Sequence, residues 1–243
     1  MKYKLTDETE EFCGTLLHRI VCVTAFASVA VGDTGGWVNS ENNLSQSGNA
    51  WVYGDAKVYG DAKVYGNAEV YGNAEVYGNA EVSGDAKVYG NAWVSGNAWV
   101  SGNAKVYGDA EVYGNAEVYG DAEVYGNAEV YGNAKVYGNA KVYGNAKVYG
   151  NAKVYGNAKV SGNAWVSGNA EVSQSSDYAV YKNTWSSMRY FTWTRSNDKW
   201  LVGCFYGTGE ELVKKAYKDS KLSGDCYKAV VELRNKLTEL ESA

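Results

Sequence analysis

The sequence predicts a mainly β protein: a parallel β-helix of about seven triangular coils, with an N-terminal β cap and a small C-terminal α+β domain. Three observations carry this expectation. Between Ala50 and Val172 the chain reads A-x-V-[YS]-G-[ND] without an insertion, and its central valines recur every six residues from Val52 to Val172, twenty-one in all. The composition is that of a repeat protein, with 29 Gly, 22 Tyr and no Pro in 243 residues, and a fixed short period signals stacked units. Charges at x positions eighteen residues apart prefer opposite signs.

Each hexad specifies one short strand and one corner. In A-x-V-Y the alternation has period two, so Ala and Val share one face while x and Tyr or Ser share the other. Gly-Asn or Gly-Asp follows each time, the pair that accepts a left-handed backbone or a tight corner at least cost. Strands of this kind pair by stacking as turns of a coil. With three strands per turn, x residues eighteen apart lie side by side at about 4.8 Å, where opposite charges are favoured. At that spacing eight pairs are opposite and four alike, whereas adjacent repeats give four opposite and ten alike. Twenty-one repeats then make seven turns, a rod of roughly 34 Å.

The hexad phase breaks at both ends. Leu44 lies eight residues before Val52, and Val180 lies eight after Val172. These slips divide the chain into a cap (1–47), the coil (48–172) and a C-terminal α+β domain (173–243). KYKLT and TLLHRIVCV predict a hairpin, and GDTGGWV leads into the first coil. Further on, RYFTWT and KWLVGCF read as two strands joined through RSND. Thr208-Gly-Glu-Glu211 resembles a capping box that opens a helix. A second helix follows Ser223-Gly-Asp, with Val230, Leu233, Leu237 and Leu240 on one face.

Composition also narrows the function classes. A net charge of −5 and a pI near 5.1 leave no broad basic surface for nucleic acid. The most apolar run, residues 20–31, falls short of the ~20 residues that span a bilayer, and MKYKLTDETEEF carries no apolar signal core. A soluble cytoplasmic protein without membrane contact is expected. Cys13, Cys22, Cys204 and Cys226 form no CxxC pair and no zinc-finger spacing; small buried residues in a reducing compartment are the expectation.

V-Y-G-N-A-K, with Val in the aliphatic position and Ala in the small position before the next Val, resembles the hexapeptide motif of left-handed parallel β-helix proteins. The match covers about half of the chain and implies a left-handed coil. The flanks, through LTDET (5–9), LHRI (17–20), GDTGGWV (32–38) and WLVGCFYGTGEEL (200–212), resemble uncharacterised repeat proteins of intestinal bacteria and their phages, which implies a mobile-element origin. Many hexapeptide proteins are trimeric acyltransferases with a histidine base in a cleft between subunits, and a related branch of carbonic anhydrases holds zinc with three histidines. Here the repeats contain no histidine and the whole chain only His18, so no zinc site is expected.

The candidate functional residues are therefore aromatic. Tyr53, Tyr71, Tyr89, Tyr107, Tyr125 and Tyr143 predict one ladder of six, either a packing device or a binding surface. Trp93, Trp99 and Trp165 are each followed two residues later by Ser95, Ser101 and Ser167 instead of Tyr, which gives each indole room. Trp93 and Trp99 fall on adjacent faces of one rung and flank an edge, a candidate contact site. Asp55, Asp61, Asp85, Asp109 and Asp121 replace Asn at corners and read as corner formers. No catalytic constellation, metal or cofactor is expected. The sequence thus points to a non-enzymatic binding or scaffolding protein, a homo-oligomer or the partner of another protein, in one form a phage-encoded inhibitor of a host factor. The alternative is an acyltransferase-like enzyme that uses His18; ice or glycan binding is weaker, as regular Thr ranks are absent.

Overall fold

In the computed structural model, which describes residues 1–242, the hexads form a parallel β-solenoid. Twenty-one short strands, β4 (Trp51–Val52) to β24 (Glu171–Val172), stack seven to a face in three sheets. Residues eighteen apart are paired, as in Glu117 with Lys135. Every repeat Ala and Val is buried, so alternation along each strand becomes inside and outside of the coil. The corner glycines have positive φ and most lie under the next turn: a Cβ on Gly102, at φ +67, would meet the nitrogen of Gly120 at 2.9 Å. That contact leaves room for no other residue.

Beside the corner glycine, the Asn side chains form their own ladder. Asn79 donates to Asn97 and Asn97 to Asn115, each at 3.0 Å. Asp85, Asp109 and Asp121 accept from Asn67, Asn91 and Asn103 in the same way. A carboxylate has no proton to hand on, so each Asp ends a run of donors. These three aspartates are corner residues with an acceptor's part in the ladder.

The hydrogen bonds run in one sense along the axis. The N–H groups of x, Tyr and Asn donate to the Ala, Val and Gly carbonyls of the following turn, as in Lys57 to Ala74, Tyr59 to Val76 and Asn73 to Gly90. The first turn therefore presents mostly carbonyls and the last mostly N–H groups.

The coil is longer than the hexads suggest, about eight turns instead of seven. The strand β3 (Thr34–Val38) pairs in parallel with Lys57–Val58, and Leu44 bridges Val64 in parallel. Val38 and Leu44 stand six apart but pair twenty residues on, with Val58 and Val64, so they lie two residues out of the hexad phase, and TGGWV and ENNL lack the Tyr-Gly-Asn corner that marks a repeat. The hairpin of β1 (Tyr3–Phe12) and β2 (Thr15–Cys22) continues the same sheet beyond β3. Trp51, an x residue expected to face outward, is 1% exposed; Tyr3 and Phe26 close over it at ring distances of 6.1 and 5.5 Å.

Beyond the coil, β25 (Tyr178–Lys182), β26 (Tyr190–Thr194), β27 (Lys199–Val202) and β28 (Phe205–Gly207) form an antiparallel sheet in sequence order. Helices α1 (Gly209–Asp219) and α2 (Lys221–Ser242) follow. The Thr208–Glu211 capping box is present, with Thr208 Oγ1 accepting from the Glu211 N–H. The second helix starts at Lys221 and turns a different stripe inward from the expected one. Tyr227, Val231 and Arg234 are buried, whereas Leu233, Leu237 and Leu240 are exposed. Arg234 wins this place because its guanidinium lies 4.6 Å from the Trp193 ring and binds Glu241, so its stem covers the sheet while its charge stays paired. Among the described residues no helix is long and apolar enough to cross a membrane.

Candidate functional site

The outer faces of the coil carry the aromatic ladders. Tyr71, Tyr89, Tyr107, Tyr125 and Tyr143 stack with centroids 4.7–5.0 Å apart and planes within 4°. Tyr53 meets Tyr71 edge-on at 6.5 Å, because its other side packs on Trp51. Stacking withdraws the phenols from water. Burial, then the neighbouring Tyr149 and Glu129, push Tyr131 up to about 12.

Hydroxyls and charges at the outer ends of these side chains are mutually engaged. Tyr59 donates to Glu75 at 3.1 Å and Tyr65 to Glu81 at 2.8 Å. Lys87–Glu69, Lys135–Glu117, Lys141–Glu123, Lys147–Glu129 and Lys153–Glu171 form ion pairs between turns. These are five of the eight opposite pairs found at the spacing of eighteen. In the others a carboxylate has turned to a tyrosine or to a second lysine.

Trp93 and Trp99 are the large breaks in this surface, 44% and 41% exposed on adjacent faces of one rung. The indole of Trp99 donates to Ser83 Oγ at 3.3 Å and lies 6.5 Å from Tyr119. Ser83 and Ser101 are buried, so the ring fills space that two missing tyrosines leave open. Trp165 has Lys147 Nζ 5.7 Å from its ring, and its backbone N–H donates to Thr192 of the C-terminal domain. The three tryptophans thus stand in three settings and do not converge on one site.

Groups capable of proton transfer lie near the first turn. His18 is half-buried on β2, opposite Thr9 and Val38, and its Nδ1 is 3.3 Å from the Thr6 carbonyl oxygen. A polar cleft of about 540 Å³ opens beside the end of β3, lined by Asn39, Asp61, Lys63 and Glu81 among others. Asn39 ties it to β2 by donating to the Leu16 carbonyl at 3.3 Å, though His18 itself is not in the lining. This cleft is hard to foresee from the sequence, since its walls come from three separate turns. The spacing of eighteen that aligns Asp61 with Asn79 and Lys63 with Glu81 was the available signal. Cys13 and Cys204 are exposed, contrary to the expectation that all four cysteines are buried; Cys22 is buried, and all four are free. The two exposed thiols occupy turns, where no neighbouring layer covers them.

The family model of the YdcK β-solenoid repeat matches residues 86–102 and 152–168. Over 60 residues the chain is 38% identical to a protein of Escherichia coli strain K12 named as the uncharacterized acetyltransferase YdcK; the match takes in 21% of this chain and 18% of that one. The chain therefore covers about a fifth of that relative. The likeness corrects the expectation of a non-enzymatic binding or scaffolding protein, because the relative that shares the repeat is named as an enzyme of acyl transfer.

Proposed function

We propose that the chain is an acyltransferase-like solenoid enzyme that moves a short acyl group from a thioester to a hydroxyl or amine. The likeness of its coil to a protein named as an acetyltransferase carries this reading. His18, the one imidazole in the chain, takes the part of general base. A carbonyl oxygen only accepts, so the contact with Thr6 places the ring hydrogen on Nδ1 and leaves Nε2 free to take a proton. Nε2 removes the acceptor's proton as its oxygen or nitrogen attacks the thioester carbon. The carbon–sulfur bond then breaks, and the imidazolium returns the proton to the departing thiolate. Asn39, Asp61 and Lys63 in the neighbouring cleft supply polar groups that suit an alcohol or amine acceptor.

Thiol release from acetyl-coenzyme A in the presence of polyol and amine acceptors tests the reading. Turnover that falls at least about a hundredfold in His18→Ala, with the circular dichroism unchanged, is expected for loss of a general base. Turnover unchanged by that substitution removes His18 from the chemistry. No thiol release above background with any acceptor overturns the proposal as a whole.

A further inference from the structure

We propose that the C-terminal domain binds a small organic carboxylate in the cavity between the β27–β28 hairpin and the two helices. The proposal does not depend on the acyl-transfer reading. The cavity holds about 290 Å³, room for roughly ten non-hydrogen atoms at ~30 Å³ each. Val202 and Phe205 from the hairpin, and Leu212 and Ala216 from α1, give it apolar walls.

Its charged groups are mostly cationic. Arg189 and Lys215 line the cavity together with a single acidic residue, Asp219, and none of the three forms an ion pair among the described residues. Lys215 Nζ sits 5.5 Å from the Phe205 ring centroid. At Gly203 a Cβ would come within 3.1 Å of Arg189 Nη1, so the glycine leaves space beside the guanidinium.

Two hydroxyls add to the donors, and the reason is an asparagine whose orientation is fixed. Asn183 is 1% exposed, and its Oδ1 accepts the backbone N–H groups of Trp185 and Ser186 at 3.2 and 2.9 Å. Only the carbonyl end of the amide meets two N–H groups. Its Nδ2 therefore donates, to Ser186 Oγ at 2.8 Å and to Tyr227 Oη at 2.9 Å. Each hydroxyl already accepts, so each has its own proton left to give. Neither proton finds an acceptor among the described residues. Tyr227 is only 7% exposed, and burial raises its phenol above its ordinary value, so that proton stays in place.

Two cations and two hydroxyl protons around an apolar cavity describe the complement of an anion with a hydrocarbon or aromatic body. A carboxylate matches the planar guanidinium with paired hydrogen bonds, and the apolar walls match its tail. An amine would face Arg189 and Lys215.

Cys204 also lines the cavity and is exposed, which allows a direct test on the full chain. Alkylation by iodoacetate, a carboxylate, is compared with that by neutral iodoacetamide, and the exposed Cys13 on the β1–β2 turn serves as the internal reference. The expected result is a preference for iodoacetate several-fold larger at Cys204 than at Cys13, a rate at Cys204 that saturates with iodoacetate, and protection of Cys204 but not Cys13 by benzoate. Arg189→Gln abolishes the preference, and Tyr227→Phe weakens the protection while an unchanged iodoacetamide rate at Cys204 reports an intact cavity. Equal reagent ratios at the two cysteines overturn the proposal. So does a preference without saturation or benzoate protection, which marks local charge without a site.

Discussion

The two ends of the coil use one local device with opposite chemistry. Each carries a 3-10 turn, 41–43 at the first end and 175–177 at the last, with a buried Asn43 or Asp177 at its third position. Asn43 Nδ2 donates to the carbonyls of Gly60 and Ala62, both at 2.9 Å. Asp177 Oδ2 accepts from the Ser173 N–H and hydroxyl at 2.8 Å and from the Gln174 N–H at 3.0 Å. Neighbouring residues keep the same division. Lys2 Nζ and Arg19 Nη1 donate to the Ala50 and Gly54 carbonyls, whereas the hydroxyl oxygens of Ser175, Tyr178, Thr192 and Ser196 accept from Lys159, Ser161, Trp165 and Glu171. A parallel coil has unlike ends, one rich in acceptors and one rich in donors, so its caps are not interchangeable. Without them each open rung is a template for another chain.

Reversing one cap is the harshest trial of that asymmetry. Asn43→Asp sets a carboxylate against two carbonyls at a position 0% exposed, and a loss of roughly 3–5 kcal/mol is expected for the unpaired buried charge. Asp177→Asn keeps one acceptor oxygen and is expected to cost only about 1 kcal/mol. Equal losses in urea unfolding would mean that strand polarity does not select the cap residue. An effect between these two comes from Thr192→Val, which keeps the shape but leaves the Trp165 N–H without its 2.9 Å acceptor; about 1–3 kcal/mol is expected by the same measurement.

The ends also respond to opposite limbs of the pH scale. Burial lowers Lys2 from 10.5 to about 8, so the penalty for holding a buried ammonium is full below about pH 8 and is relieved as pH rises toward 10.5. Burial alone would raise Asp177, but hydrogen bonds from Ser173 and Gln174 outweigh it and hold the carboxyl below its usual 3.8. Its contribution is complete above that value and is lost as pH falls through the lower folded value. Hydrogen exchange at amides of the two ends reads each limb locally: Lys2→Met flattens the alkaline one and Asp177→Asn the acid one. The stacked tyrosines, with phenols raised by burial, act against Lys2 in alkali, since an unfolded chain ionises them first and global stability falls above about pH 10.

In the middle of the rod the effects are smallest. Tyr107→Ser removes contacts at 4.8 Å to both Tyr89 and Tyr125, yet Ser83, Ser95 and Ser101 already occupy the same position in neighbouring hexads. A loss near 1 kcal/mol is expected. A loss as large as that of Asn43→Asp would make the ladder, and not the caps, the main support of the coil.

Most of the coil was legible because one rule acts twenty-one times. Val82, Val100 and Val118 stand in one column because they are eighteen residues apart, and the charge preference at that spacing gave the number of strands per turn. The extra turn was not legible, since Val38 and Leu44 stand two residues out of the hexad phase and lack the repeat's corner. Trp51 misled in the other direction: its position in the hexad is outward, and the cap folds over it. The candidate site was read less well. His18 was identifiable as the single imidazole, but the cleft beside β3 joins residues from three turns. The cavity of the C-terminal domain joins Asn183, Arg189 and Tyr227, whose separations follow no period.

By itself the sequence determined the coil: period two inside the strand, period six around the corner and period eighteen along the axis are local rules of backbone and side-chain geometry, and each is written in adjacent residues. Tertiary structure alone decided what closes the rod, which stripe of α2 is buried and where donors gather round a cavity. Those outcomes depend on unpaired backbone groups at the ends and on side chains distant in sequence, and no periodicity encodes which distant partner will meet them.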